Sequence, residues 1–146
     1  MCIRDSPGGM EAAYRAAEAG HNVELYDKAP EIGGQLWIAG TPPHKQEIWE
    51  LVRFYDTMLD KYEVDVILEH EVDIEFIKEK KPDFVIVAEG ARPLVPPIDG
   101  IDAASVVDAW DMLADDPKIG EKVAVIGGGA VGLEAVSYTH LTLPTN

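Results

Sequence analysis

The chain has 146 residues, 12 of them lysine or arginine and 27 aspartate or glutamate, for a formal net charge of −15. That balance argues against a nucleic-acid partner, which needs a basic face to neutralise phosphates, and against an anionic membrane surface; with 47% apolar residues the chain is not a disordered one either. A single cysteine, Cys2, leaves no internal disulfide, no cysteine-based zinc site and no Cys-x-x-Cys redox pair, no apolar run reaches the roughly 18 residues of a membrane span, and a cytoplasmic location is the expectation.

The two ends read unlike the rest. Residues 1–6, MCIRDS, and 137–146, SYTHLTLPTN, resemble translated sequencing-adapter read-through and are expected to be foreign to a natural segment over 7–136. Pro7-Gly8-Gly9 opens a run of helix formers over 10–19, whose small Ala12, Ala13, Ala16 and Ala17 permit close approach to a sheet, and Gly20 caps its end. Residues 22–26 alternate with period two, a strand that ends at Asp27. Residues 29–43 form a loop rich in glycine and proline that carries Gly33-Gly34-Gln35-Leu36. An amphipathic helix follows over 44–61, with Ile48, Leu51, Val52, Tyr55 and Leu59 on one face. Residues 64–68 are a short apolar strand and 72–74 a further one, while 75–81 is a charged helix that stops before Pro82. The continuous apolar run over 83–88 is that of a buried strand. After a proline-rich crossing to Gly100 come a short helix over 106–113, a polar turn over 118–122 and a second buried strand over 123–126. This strand runs into Gly127-Gly128-Gly129-Ala130-Val131-Gly132 and a helix that the tail is expected to interrupt within two turns.

Gly127-x-Gly129-x-x-Gly132, placed after a strand and opening a helix, is the pattern of a dinucleotide turn. The first glycine permits the tight turn, the second leaves room for a pyrophosphate, and the third lets helix and strand pack closely. The phosphates then meet the unpaired amides at the helix N-terminus. An earlier turn echoes it: Pro-Gly-Gly-Met-Glu-Ala over 7–12 against Ala-Val-Gly-Leu-Glu-Ala over 130–135. There Gly9 holds the third-glycine position and Arg4 and Ser6 stand where the first two glycines belong, so the first strand is expected to be missing. Asp27, closing the next strand, is placed to accept hydrogen bonds from a ribose.

Taken in order, 7–27, 32–36, 85–93 and 123–135 resemble the two-dinucleotide-binding-domain flavoprotein oxidoreductases. They look like the flavin-reducing portion of the 2-enoate and 2,4-dienoyl-CoA reductases, in the NADH:flavin oxidoreductase group, and the Gly-Gly-Gln-Leu loop followed by Pro42-Pro43-His44-Lys45 is similar to that subgroup in particular. The resemblance implies an α/β, Rossmann-like, doubly wound parallel sheet. It implies an incomplete FAD-binding domain over 7–105, lacking its first strand, that runs into the start of an NAD(P)-binding domain over 106–136.

The resemblance also assigns roles. Pro7, Gly8 and Gly9 would lie at the FAD pyrophosphate. Asp27 would bind the adenosine ribose, with Lys28 adjacent. Gly34, Gln35 and Leu36 would pass the flavin's phosphate and ribityl region, and Val72 would present its backbone to adenine. Ala88, Glu89 and Gly90 match the Ala-Thr-Gly turn that closes over FAD, with Glu89 placing a charge where threonine is usual. Gly127, Gly129, Val131 and Gly132 would hold NAD(P)H. In such relatives hydride passes from NAD(P)H to the flavin and on to FMN and an iron–sulfur cluster in an upstream barrel, where a carbon–carbon double bond is reduced. The cofactors carry that chemistry, so no catalytic acid, base or nucleophile is expected here. The implied partner is the upstream barrel or another electron acceptor. A glutamate-synthase-like reductase subunit and a nucleotide-binding module without turnover are the alternatives. His21, His44, His70 and His140 share no metal-ligand spacing, and no metal site is expected.

Overall fold

The computed structural model describes residues 2–3, 6–115 and 119–142, with side chains over 6–115 and 119–138. Two compact units emerge, one comprising residues up to Trp37 together with Glu47–Ala91, the other Ile38–Gln46 together with the chain from Arg92 onward.

The first unit is an α/β sheet. Strands β1 (Cys2–Ile3), β2 (Glu24–Tyr26), β3 (Asp65–Ile67) and β4 (Ile86–Val87) lie in the order β3-β2-β1-β4, and every pairing is parallel. Cys2 sits opposite both Leu25 and Ile86. The expectation of a sheet without its first strand is therefore corrected: two residues of the N-terminal string fill that central position, because a backbone edge on each side supplies partners whatever the side chains are. Arg4 lies outside the described residues.

Helix α1 (Pro7–Glu18) begins where the sequence suggests. Ser6 is its N-cap and Pro7 its first residue, where a missing N–H costs nothing. It ends at Ala19, and Gly20, at φ 92°, donates its N–H to Ala17 O while His21 N reaches Ala16 O. Met10, Ala13 and Tyr14, at i, i+3 and i+4, are buried against the sheet. Tyr14 then meets Phe54, Tyr55 and Tyr62, which puts α3 (Trp49–Lys61) alongside α1. With Val23, Leu25, Leu36, Val52, Leu59 and Val64 these residues form the core.

Several elements depart from the sequence reading. The helix expected over 44–61 starts at Trp49, after a 3-10 turn over Gln46–Ile48, since His44 takes φ 65° and cannot continue a right-handed helix. Inside the expected loop 29–43 lies a short helix, α2 (Gln35–Ala39). The strand expected over 72–74 is absent because Asp73 caps α4 (Ile74–Lys80), its carboxylate accepting from Phe76 N at 2.8 Å. Lys81, left-handed at φ 49°, closes α4 before Pro82 as expected.

The strand over 83–88 shrinks to Ile86 and Val87, 40% and 64% exposed, because β4 is an edge strand and nothing among the described residues covers it. In the second unit, α5 (Ala109–Asp115) packs on α6 (Ala130–Thr142) with Met112, Leu113 and Ala135 buried. The helix expected over 106–113 thus begins three residues later. The strand expected over 123–126 does not form: these residues take no regular secondary structure, pair with no strand among the described residues, and leave Val123, Val125 and Ile126 exposed. Lys118 of the expected polar turn lies outside the described residues. The tail does not interrupt α6, which continues through Thr142, since nothing before Pro144 breaks a helix.

Candidate functional site

All strands of the first unit are parallel, so their carboxyl ends share one side of the sheet, the side on which α/β folds place ligands. Three of the sequence-predicted turns meet there. Ser6 follows β1; its hydroxyl accepts from Gly9 N at 3.3 Å and donates to Ala88 O at 2.7 Å, joining the Pro7-Gly8-Gly9 turn to the chain leaving β4. Gln35 Nε2 donates to Ala91 O at 2.9 Å, joining the Gly34-Gln35-Leu36 loop to the same segment. Gly90, at φ 70°, lies so close that a Cβ there would sit 2.9 Å from Gln35 Nε2. Leu36 turns inward to the core and fixes the loop, Gly34 and Glu89 face solvent, and Ala88 is half-buried.

Asp27 stands at the end of β2, 6% exposed. Its Oδ1 accepts from Ala29 N at 2.7 Å, and its carbonyl accepts from His70 N at 2.9 Å. The second contact draws the segment after β3 alongside, with Val72 half-buried two residues further on. Lys28 is exposed. Pro7–Gly9, Gly34–Leu36 and Ala88–Gly90 are thus tied together, and Asp27 lies at the neighbouring strand end.

Sequence reasoning misses two residues of this arrangement. Ser6 reads there only as a lost glycine, although a serine before proline signals a helix cap. Gly33 holds φ 114°, accepts from Leu36 N at 3.0 Å, and would place a Cβ 2.7 Å from Trp37 Nε1, a nitrogen that donates to Ile32 O. The Gly-Gly pair is the available signal.

In the second unit the Gly127–Gly132 turn keeps its three glycines for distinct reasons. Gly127 adopts φ 106°. A Cβ on Gly132 would collide with Gly127 O and lie 3.2 Å from Gly127 C. Gly128 and Gly129 face open space, and Gly129 O accepts from Leu133 N at 3.0 Å in the first turn of α6. This is the bare backbone that a pyrophosphate needs. Val131 is exposed. Glu134 pairs with Lys45 of the 38–46 segment, a contact that nothing in the sequence pattern indicates.

The resolved titration shifts belong to packing. A hydrogen bond from Lys80 Nζ at 2.9 Å holds the Glu24 carboxyl below its ordinary value and raises Lys80, tying α4 to β2. Burial pushes the Tyr14 and Tyr55 phenols up. Among the described residues no group of three or more histidine, cysteine or acidic side chains is placed to hold a metal, and no helix is long and apolar enough to cross a membrane.

Comparison with known proteins gives a consistent picture. The sequence model of a family described as pyridine nucleotide-disulphide oxidoreductase matches residues 5–142. Bilirubin reductase of Mediterraneibacter gnavus is 43% identical over 134 residues, 92% of this chain and 21% of that protein. Cinnamate reductase of Clostridium sporogenes is 40% identical over 138 residues, 94% of this chain and 20% of that protein. The solved structure of a 2-naphthoyl-CoA reductase with 2-naphthoyl-CoA aligns with a TM-score of 0.87 at 33% identity, covering 94% of this chain and 21% of that one. The chain spans about one fifth of the length of the curated relatives it matches.

Proposed function

The chain belongs to the pyridine nucleotide-disulphide oxidoreductase family, and on that premise we propose that it is the FAD-binding part and the start of the NAD(P)-binding part of a flavoprotein reductase. The whole protein takes hydride from NAD(P)H onto FAD and passes the electrons on to an enoate- or enoyl-type double bond. One observation carries this reading: three separate segments, at 6–9, 34–36 and 88–91, are hydrogen-bonded together at the carboxyl ends of a parallel sheet. The family supports flavin and NAD(P) binding in general, and relatives named for cinnamate and 2-naphthoyl-CoA support a conjugated acceptor.

In this reading residues 7–105 hold FAD and 106–136 begin the NAD(P) site. Pro7, Gly8 and Gly9 bring backbone to the pyrophosphate. The Asp27 carboxylate accepts from the ribose hydroxyls beside Lys28, and Val72 offers backbone to adenine. Gly34, Gln35 and Leu36 line the flavin's phosphate and ribityl chain, and Ala88, Glu89 and Gly90 close over it. Gly127, Gly129, Val131 and Gly132 receive the nicotinamide dinucleotide. When bound, the flavin supplies hydride acceptance and onward electron transfer; the protein's residues bind, orient and shield. The electron acceptor is an upstream barrel with FMN and an iron–sulfur cluster, and the location is cytoplasmic.

The test is anaerobic addition of NADH or NADPH to the complete gene product. Bleaching of the oxidised-flavin band, reversed by cinnamate or another enoate, is the expected result. Nucleotide binding without bleaching would make the protein a binding module and refute the reductase reading.

A further inference from the structure

The first turn of α1 is partly occupied by the chain itself. Pro7 has no N–H, and Met10 N donates to Ser6 O at 2.9 Å, as in any helix that starts with proline. What sets this helix apart is Gly9: its N–H, which a phosphate would otherwise meet, donates to Ser6 Oγ at 3.3 Å. The same hydroxyl is anchored from its other side, donating to Ala88 O at 2.7 Å. Ser6 is half-buried and linked to a turn 82 positions away, so its hydroxyl is not a swinging surface group. An anion approaching Gly9 N has to take that N–H from an Oγ held in place by its bond to Ala88 O. A glycine at that position would oppose it with nothing.

We propose that in this chain Ser6 competes with the dinucleotide phosphate for the start of α1, so that the chain as it stands binds FAD more weakly than its sheet and turns allow. The proposal rests on the reading of the first turn as an FAD site. It concerns the hydroxyl and not the Cβ, since a phosphate and an Oγ compete for the same N–H while a methyl group does not.

The experiment compares FAD affinity of the 146-residue chain with that of its S6A, S6G and S6T forms. Flavin fluorescence reports affinity, far-UV circular dichroism confirms the helices, and the Gly9 amide signal in ¹⁵N spectra reports the contact itself. S6A and S6G are expected to bind FAD about five-fold more tightly, the factor that one ordinary hydrogen bond is worth in an equilibrium. S6T, which keeps a hydroxyl, is expected to match the parent. The Gly9 amide should shift on adding FAD to S6A and S6G at about one fifth of the concentration that shifts the parent equally. S6G retains most of the capping energy of serine, so it stays informative if S6A fails to fold. Equal affinity in all four forms overturns the competition and leaves the FAD reading intact. A gain in S6G alone, with S6A and S6T at parental affinity, also overturns it, by pointing to bulk. Absence of FAD binding in all four folded forms overturns the FAD reading and the competition with it.

Discussion

Replacing Gly132 by alanine asks whether the second glycine turn works by close backbone packing. A Cβ there collides with Gly127 O, lies 3.2 Å from Gly127 C and 3.6 Å from Val125 Cγ1. The main obstacle is backbone, so relief requires α6 to back away from the turn, an overpacking cost of about 1–3 kcal/mol. Moving the helix start also withdraws an amide from a bound pyrophosphate. A hydrogen bond to a charged group is worth about 1.5–3 kcal/mol, so NADH affinity should fall about 10- to 150-fold. The neighbouring Gly128 and Gly129 supply the controls, since a Cβ at either would meet nothing within 4 Å. G129A should leave stability within about 0.5 kcal/mol of the parent yet weaken NADH, because the empty space is where the pyrophosphate lies. G128A should change neither. Thermal unfolding by circular dichroism and NADH fluorescence titration separate the three outcomes. Parental NADH affinity in G132A, or identical behaviour of all three variants, would refute the reasoning.

Further expectations concern the first unit. Leu25 is fully buried in β2, so L25A should cost about 2–5 kcal/mol in urea unfolding; a loss under about 1 kcal/mol would mean that the core is not packed around β2 as described. D73A removes the cap from α4 and should cost about 1 kcal/mol, with no loss expected if water replaces the carboxylate without penalty. Glu24 has its folded-state value lowered by Lys80 and, to a smaller extent, by the Tyr26 hydroxyl. Its contribution is therefore complete above the ordinary glutamate value of 4.5 and disappears as pH falls through the lower folded value. The stability difference between the parent and E24Q should be flat through neutral pH, shrink in acid, and weaken in salt because both partners are about two-fifths exposed. A difference that grows on acidification would show the sign to be wrong.

What can be read from the sequence is what depends on neighbours in the chain. Helix α1 announces itself through Pro7-Gly8-Gly9, its alanines and Gly20; α3 does so through the spacing of Val52, Tyr55 and Leu59, and the close of α4 through Lys81-Pro82. What escapes depends on partners elsewhere. Helix α2 has five residues, too few for a periodicity to show. Val72–Ile74 carries strand-forming side chains, but the single carboxylate of Asp73 outweighs them by capping a helix. Residues 123–126 have the composition of a buried strand but pair with no strand among the described residues, and pairing, not propensity, makes a sheet. For the candidate site the glycines are legible because their role is steric and local. The two hydrogen bonds that gather the turns, from Ser6 to Ala88 and from Gln35 to Ala91, span 82 and 56 positions and leave no trace in any window of sequence.

The position of β1 also sets the order in which the molecule can assemble. Strand β2 reaches β3 across α2 and α3, whereas β4 can join only when Ile86 and Val87 find a two-residue strand at the opposite end of the sequence of that unit. Closing so long a loop costs entropy before any contact repays it, so folding should nucleate in the α1–β2–α3–β3 portion and add β4 last. Because the Ser6–Ala88 hydrogen bond straddles that final step, the candidate cofactor site comes into being only when folding is finished, and amide exchange should find β4 the first strand to open.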